Sequence, residues 1–308
     1  MKYRVTSYTA LIFGVIALST SAIFVKLALA PSSVTAFYRL LFTALALAPF
    51  LVFDRKKRAE LVSLMPVRKG LIVLSGLLLA IHYMMWFESL RYTSVASSTV
   101  LVSLQPLFSM VYGFILLKEK VAKSAMTGCL IAIIGSCIIG WGDLQISRMA
   151  LIGDVLALAA AGVSSLYFLI GQIVRKAIGA VTYSVPSYFS SAFFLLVYAL
   201  LKGDALTGYS AATWRAFLGL AFISTICGQF VFNLLLKNLS ATAVTMSILG
   251  EPVGTCILAF IFLHERIVPR QFLGIAVILI GLSIFFFYPI IRERSVSELY
   301  AVIHTKRT

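Results

Sequence analysis

Glu251 is the one acidic residue near the middle of an apolar run in this chain. A charge at that depth costs about 2.5–3.5 kcal/mol on insertion scales, so it faces a cavity or a partner. There it could bind a cationic group, take up a proton, or serve structure by pairing with another helix. Ser247, Gly254 and Thr255 share its helical face and make a small polar stripe. Gln105 stands 146 positions earlier, on one face with Ser98, Ser109 and Tyr112. A site built from both would draw charge from one and an amide from the other. His82 and Trp86, four apart, share a third face. A titratable ring beside an aromatic suits an amphipathic ligand, and a satisfied core histidine is the other reading.

Further polar residues lie within apolar runs. Arg39, with Tyr38 beside it, could receive a carboxylate or pair with Glu88. Lys26, near the end of the first run, could snorkel to the interface or contact a ligand. Gln229 and Asn233 stand four apart, and Gln172 follows Ser165 by seven. Tyr167 and Tyr188 are candidates for a cavity wall. Each of these could equally be spent on hydrogen bonds between helices. Enzymatic chemistry has little to work with. Of three histidines (82, 264 and 304) only His82 lies within a run, and there is no HExxH, no His/Asp ligand set and no serine elbow. Cys129, Cys137, Cys227 and Cys256 all sit in apolar runs without a CxxC partner and read as small buried hydrophobes. No metal or cofactor is expected.

The elements that position these residues follow from composition. The 308 residues are 61% hydrophobic and 12% charged, with a mean hydropathy of +1.01. A water-soluble domain could not hide that much apolar surface. Ten apolar runs long enough to span a bilayer fall at about 8–29, 34–53, 69–90, 95–117, 122–141, 151–173, 182–201, 213–236, 243–263 and 270–291. The first is read as a retained helix and not a signal peptide. The net charge of +15 gathers in short loops between runs. That is a topology signal and not a nucleic-acid footprint. With the N-terminus inside, 18 Lys and Arg fall on the cytosolic side and 6 outside, which places both termini in the cytosol.

Residues 94–138 lie on residues 240–284 without a gap, with eleven identities in 45 positions. The informative ones are Pro106/Pro252, Glu119/Glu265, Gly128/Gly274 and Gly135/Gly281. The chain is therefore an internal repeat, residues 1–145 and 146–292, with a cytosolic tail at 293–308. An odd number of spans per half puts the second copy in the membrane upside down. Each copy carries one span interrupted by proline, and paired interruptions point to a binding site. Pro106 and Pro252 are expected to bend their helices as hinges, and the carbonyls they free must find partners or face a cavity. The glycines recur every seven residues and mark a close-packing face, within the chain or in a dimer. Glu119 and Glu265 are expected to anchor span ends by pairing with adjacent basic residues.

These passages carry a resemblance. Arg91-Tyr92-Thr93-Ser94-Val95-Ala96 runs into Pro106 and Leu117-Lys118-Glu119-Lys120, then Gly128 to Gly135. Lys237-Asn238-Leu239-Ser240-Ala241 runs into Glu251-Pro252 and Leu263-His264-Glu265-Arg266, then Gly274 to Gly281. The pattern resembles the EamA family of the drug/metabolite transporter superfamily over nearly the whole chain. The resemblance implies an all-α polytopic membrane protein, with ten transmembrane helices as two inverted five-helix repeats around a central cavity. It implies a carrier of the inner membrane that exports a small metabolite, and it does not imply which one; an amino acid or a related amphipathic compound is the expectation from mixed charge, Glu251 against Lys26 and Arg39, and an aromatic-rich interior. Protons are the candidate coupling ion. A facilitative carrier or a channel for nucleotides, sugars or drugs is the alternative. Monomer and homodimer both remain open.

Overall fold

The computed structural model describes residues 2–93, 95–119, 122–140, 148–262, 269–270 and 272–286. The described residues are helical, with no strand among them. In order the helices are α1 (Lys2–Leu27), α2 (Ser32–Val52), α3 (Arg55–Val62), α4 (Pro66–Tyr92), α5 (Val95–Val102), α6 (Gln105–Leu117) and α7 (Lys123–Gly140). Then follow α8 (Arg148–Arg175), α9 (Ala180–Lys202), α10 (Ala211–Gly219), a π-helical stretch (Leu220–Gln229) running into α11 (Phe230–Leu235), α12 (Ala241–Ile248) and α13 (Glu251–Phe262). The last is α14 (Phe272–Phe286).

Eight of the resulting helical stretches are long and apolar enough to cross a membrane, which makes this a polytopic membrane protein. The expected spans at 122–141 and 270–291 contain shorter apolar helices, Lys123–Ile138 and Phe272–Phe286. The tail at 293–308, and with it Glu265, lies outside the described residues. Helix α3, in the loop after α2, was not expected from hydropathy. Asp54 caps it by accepting from the backbone amides of Lys56 and Lys57.

The two proline spans are broken rather than bent. Ser103 and Leu104 turn between α5 and α6, and Leu249 and Gly250 turn between α12 and α13. Pro106 and Pro252 then fall in the first turn of α6 and α13, where a missing N–H costs nothing. Tight i to i+3 bonds carry the backbone through each break: Leu104 to Leu101 at 3.2 Å and Leu107 to Leu104 at 3.1 Å, then Gly250 to Ser247 at 3.0 Å and Val253 to Gly250 at 3.2 Å. The expected hinge inside a continuous helix is thus replaced by two half-helices meeting at mid-span.

The halves pack by exchanging equivalent contacts. Helix α4 lies on α8, and α1 lies on the π-helical stretch; α6 also lies on α8, and α13 on α1. The glycine faces cross in the same way. A Cβ on Gly128 would meet the Gly281 carbonyl at 2.7 Å, and one on Gly135 would meet the Gly274 carbonyl at 2.7 Å. Helices α7 and α14 therefore run antiparallel in backbone contact, and the close-packing face lies within the chain. At Gly281 an added Cβ would stand 2.4 Å from the Ala132 nitrogen and 2.6 Å from the Gly128 carbonyl. Gly281→Ala is expected to force the pair apart and destabilise by about 1–3 kcal/mol. Thermal unfolding in detergent measures it. Gly70→Ala is the control, because nothing lies within 4 Å of that position.

Two carboxylates clasp the other half's second helix. Glu60 of α3 accepts from the Gly179 amide at 2.8 Å and from the Thr182 hydroxyl, at the start of α9. Asp204, just past α9, accepts from the Ser33 hydroxyl at 2.5 Å, at the start of α2. Helices α2 and α9 pack along each other, so the clasps sit at opposite ends of one antiparallel pair. Glu60→Ala removes the side chain that accepts from the Gly179 amide and is expected to lower stability by about 1 kcal/mol. The readout is a lower unfolding temperature with unchanged gel-filtration behaviour.

Candidate functional site

The breaks at 103–104 and 249–250 bring Gln105 and Glu251 to the centre of the molecule. They line one chamber with Leu18, His82, Tyr83, Trp86, Ser164 and Gln229. Glu251 is 2% exposed and Gln105 is 4% exposed. The chamber holds about 10 Å³, room for a single water molecule. It is closed around a polar centre. Five of the residues expected from sequence meet here: Glu251, Gln105, His82, Trp86 and Gln229. Gln229 is delivered by the π-helical stretch, a geometry that often marks functional sites.

Serines on the first helix of each half hold the breaks. Ser19 of α1 donates to the Glu251 carbonyl at 3.2 Å. Ser165 of α8 donates to the Gln105 carbonyl at 2.8 Å. The offset of 146 that aligns residues 94–138 with 240–284 also relates Ser19 to Ser165. Ser19 fits only because position 254 is glycine: a Cβ there would lie 2.3 Å from the Ser19 hydroxyl.

The chamber's polar atoms are unevenly satisfied. The Gln105 side-chain oxygen accepts from the Ser164 hydroxyl at 3.0 Å. His82 Nδ1 lies 3.0 Å from the Ala160 carbonyl. A carbonyl can only accept, so Nδ1 carries the proton and neutral His82 presents Nε2 as an acceptor. Glu251 Oε1, Trp86 Nε1 and Gln229 Nε2 are buried with no hydrogen-bond partner. Such groups cost about 1–3 kcal/mol each when left unmade, more for a charge. An acceptor (Glu251) and two donors (Trp86, Gln229) thus stand unpartnered in the lining of one chamber, with His82 beside them.

Arg39 stands behind this space, fully buried. Its Nε donates to Thr225 Oγ1 at 2.8 Å, its Nη1 donates to Ser21 Oγ at 2.6 Å, and its guanidinium lies 4.2 Å from the Tyr83 ring centroid. It is within electrostatic reach of Glu251, without a direct ion pair. The expected partnership with Glu88 does not form: Glu88 approaches Arg91 at 3.7 Å and accepts from the Tyr92 hydroxyl.

Other expected site residues lie elsewhere. Tyr38 stacks on Phe217, meets Trp214 edge-on and donates to the Leu206 carbonyl. Asn233, one turn past Gln229, donates to Tyr167 at 2.6 Å, with Ser184 and Tyr188 close by. Gln172 donates to Glu119 at 2.6 Å and accepts from the Ala241 amide. Glu119 was expected to pair with adjacent basic residues, of which Lys120 lies outside the described residues. Lys26 donates to the Leu90 carbonyl at 2.7 Å, near the end of α4. Arg175 does the same near the end of α11, bonding the carbonyls of Asn233 and Leu234. Lys26 also lines, with Arg91, Phe87 and Pro31, a cavity of about 520 Å³ where α1 ends and α2 begins. Phe87 lines that cavity, while Tyr83, one turn earlier on α4, and Trp86 line the chamber. Tyr83, Ser164 and Leu18 were not anticipated; extending the 146-residue offset to the first span of each half finds the last two.

A multi-span helical protein with a closed polar chamber between two like halves has the build of a membrane transporter. The EamA-like transporter family is matched over residues 5–141 and again over 151–287. The chain belongs to that family. Among its relatives, the uncharacterized transporter YetK of Bacillus subtilis is 27% identical over 63% of this chain and 60% of its own length. An uncharacterized transporter of Archaeoglobus fulgidus is 25% identical over 75% of this chain and 79% of its own. The S-adenosylmethionine uptake transporter of Rickettsia bellii is 26% identical over 82% of each chain. A solved crystal structure superposes with a TM-score of 0.75 over 92% of this chain and 97% of the other, at 14% identity, and so shares the fold.

Proposed function

We propose that the protein is a secondary carrier for a small metabolite that bears an amino-acid-like group on an apolar or aromatic body. The carrying observation is the set of unpartnered buried atoms on residues that line one chamber: Glu251 Oε1, Trp86 Nε1 and Gln229 Nε2. A substrate ammonium would sit on Glu251 and the acceptor Nε2 of His82. Its carboxylate would take the Trp86 and Gln229 donors, with Arg39 behind them. Its body would stack on Trp86 and Tyr83.

The mechanism is alternating access by two five-helix halves of opposite orientation. Support comes from the crossed glycine contacts and the exchanged serine bonds, both of which a two-fold axis in the membrane plane would produce. The ten-span count takes the two shorter apolar helices, α7 and α14, as spans. Lys and Arg placement puts both termini in the cytosol, so the large cavity beside Lys26 faces outward. The closed chamber then belongs to an occluded form. Pro106 and Pro252, at the breaks, are where the half-helices would swing.

Uptake and counterflow in proteoliposomes test the proposal, with labelled amino acids and S-adenosylmethionine, with and without a pH gradient. Saturable uptake that is accelerated by substrate trapped inside supports a carrier. Linear flux without counterflow would sink the carrier and leave a channel. Export is proposed from the family resemblance, while the Rickettsia relative is named for uptake. Initial rates in inside-out and right-side-out vesicles separate the two.

A further inference from the structure

The two central side chains are equivalent in position but not in company. Gln105 has Ser164 one helix away, donating to its side-chain oxygen at 3.0 Å. The residue related to Ser164 by the same 146 positions is Leu18. Leu18 lines the chamber beside Glu251 and cannot donate. Glu251 Oε1 is buried without a partner as a result. The neighbouring serines, Ser19 and Ser165, are alike in both halves and bond the backbone at each break. Between these two neighbouring positions of the first helix, the difference falls at one: serine where the partner is an amide, leucine where it is a carboxylate.

We propose that Leu18 is a specificity-determining residue, which withholds a hydroxyl from Glu251 and so keeps the carboxylate open to the cationic group of the substrate. The substrate half of this statement rests on the proposed function; the effect of Leu18 on Glu251 does not. A serine at position 18 would place a donor where Ser164 places one, satisfy Glu251 from within the chain, and compete with any incoming cation. An alanine would make similar room without a donor.

An apolar carbodiimide reads this without knowledge of the substrate. The protonated carboxyl adds across one N=C bond: its oxygen bonds the central carbon, and its proton goes to nitrogen. Dicyclohexylcarbodiimide labelling of Glu251 is followed by mass spectrometry on purified full-length protein, with Glu251→Gln as the blank. Leu18→Ser is expected to slow labelling about tenfold, the scale of one hydrogen bond to a charged group, while Leu18→Ala labels at least as fast as wild type. Equal rates in Leu18→Ser and Leu18→Ala, or a Leu18→Ser rate equal to wild type, overturn the proposal. The mirror experiment guards against a misfolded variant. With Gln105→Glu the introduced carboxyl has Ser164 beside it and is expected to label slowly; with Gln105→Glu and Ser164→Ala together it is expected to label fast. No difference between those two also overturns it. In the transport assay Leu18→Ser should raise KM for amine-bearing substrates about tenfold and leave deaminated analogues unaffected. If labelling follows the expected pattern and no amine-bearing compound is transported, Leu18 keeps its role and the substrate class falls.

Discussion

Glu251→Gln is expected to abolish accumulation driven by a pH gradient while leaving exchange of substrate across the membrane. Glutamine keeps the size of the side chain, so the chamber stays packed. It cannot release or take up a proton, and it cannot neutralise an ammonium. Truncating one partner of a buried charged contact costs about 2–5 kcal/mol. The KM for an amine-bearing substrate should therefore rise about a hundredfold. Uptake with and without the gradient, and counterflow without it, are measured on the same preparation. Gradient-driven accumulation that survives in Glu251→Gln would return Glu251 to a structural role. Loss of counterflow along with accumulation would make Glu251 a binding residue without establishing coupling.

Arg39→Leu should be the most damaging single change to the fold. Arg39 is 0% exposed and is held by Ser21, Thr225 and the Tyr83 ring. Its removal takes a donor from the Ser21 and Thr225 hydroxyls and leaves Glu251 without the cation in its electrostatic reach. Breaking such a buried arrangement costs about 3–5 kcal/mol. In unfolding temperature this is on the order of 10 °C. Arg39→Lys should recover little, since one ammonium cannot reach Ser21 and Thr225 while lying flat on Tyr83. The sharper test is a cycle. If Arg39 chiefly compensates Glu251, then Arg39→Leu with Glu251→Leu is more stable than Arg39→Leu alone. Simple addition of the two losses would show that the residues are independent.

Much of the site was legible because depth in an apolar run is itself informative. Glu251, Gln105, His82 and Trp86 were picked out by polarity at mid-span, and the structure gathers them on one chamber. The same criterion also picked Tyr38, Gln172 and Asn233, which do not line that chamber. Their partners, the Leu206 carbonyl, Glu119 and Tyr167, stand elsewhere in the chain, two in loops and one on α8, and no pattern within one helix reveals which neighbour a polar group will meet. The proline spans show another limit. Proline announced an interruption, but its form depends on the turn before it, where Ser103-Leu104 and Leu249-Gly250 let the chain stop and start again. Leu18 was invisible for a third reason: a leucine in an apolar helix carries no signal until the serine that replaces it in the other half is seen at the same place.

The exchanged serine bonds have a consequence for how the protein is made. Gln105 leaves the ribosome 60 residues before the serine that will hold its carbonyl. At about 5–20 residues per second, that is a wait of roughly 3–12 seconds. Ser33 waits longer for Asp204, and Glu60 for Gly179. The first half is thus inserted with its central break unsupported, and it completes itself only when the second half arrives. Expressed alone, it should be a substrate for membrane proteases; expressed from a split gene beside its other half, it should be rescued.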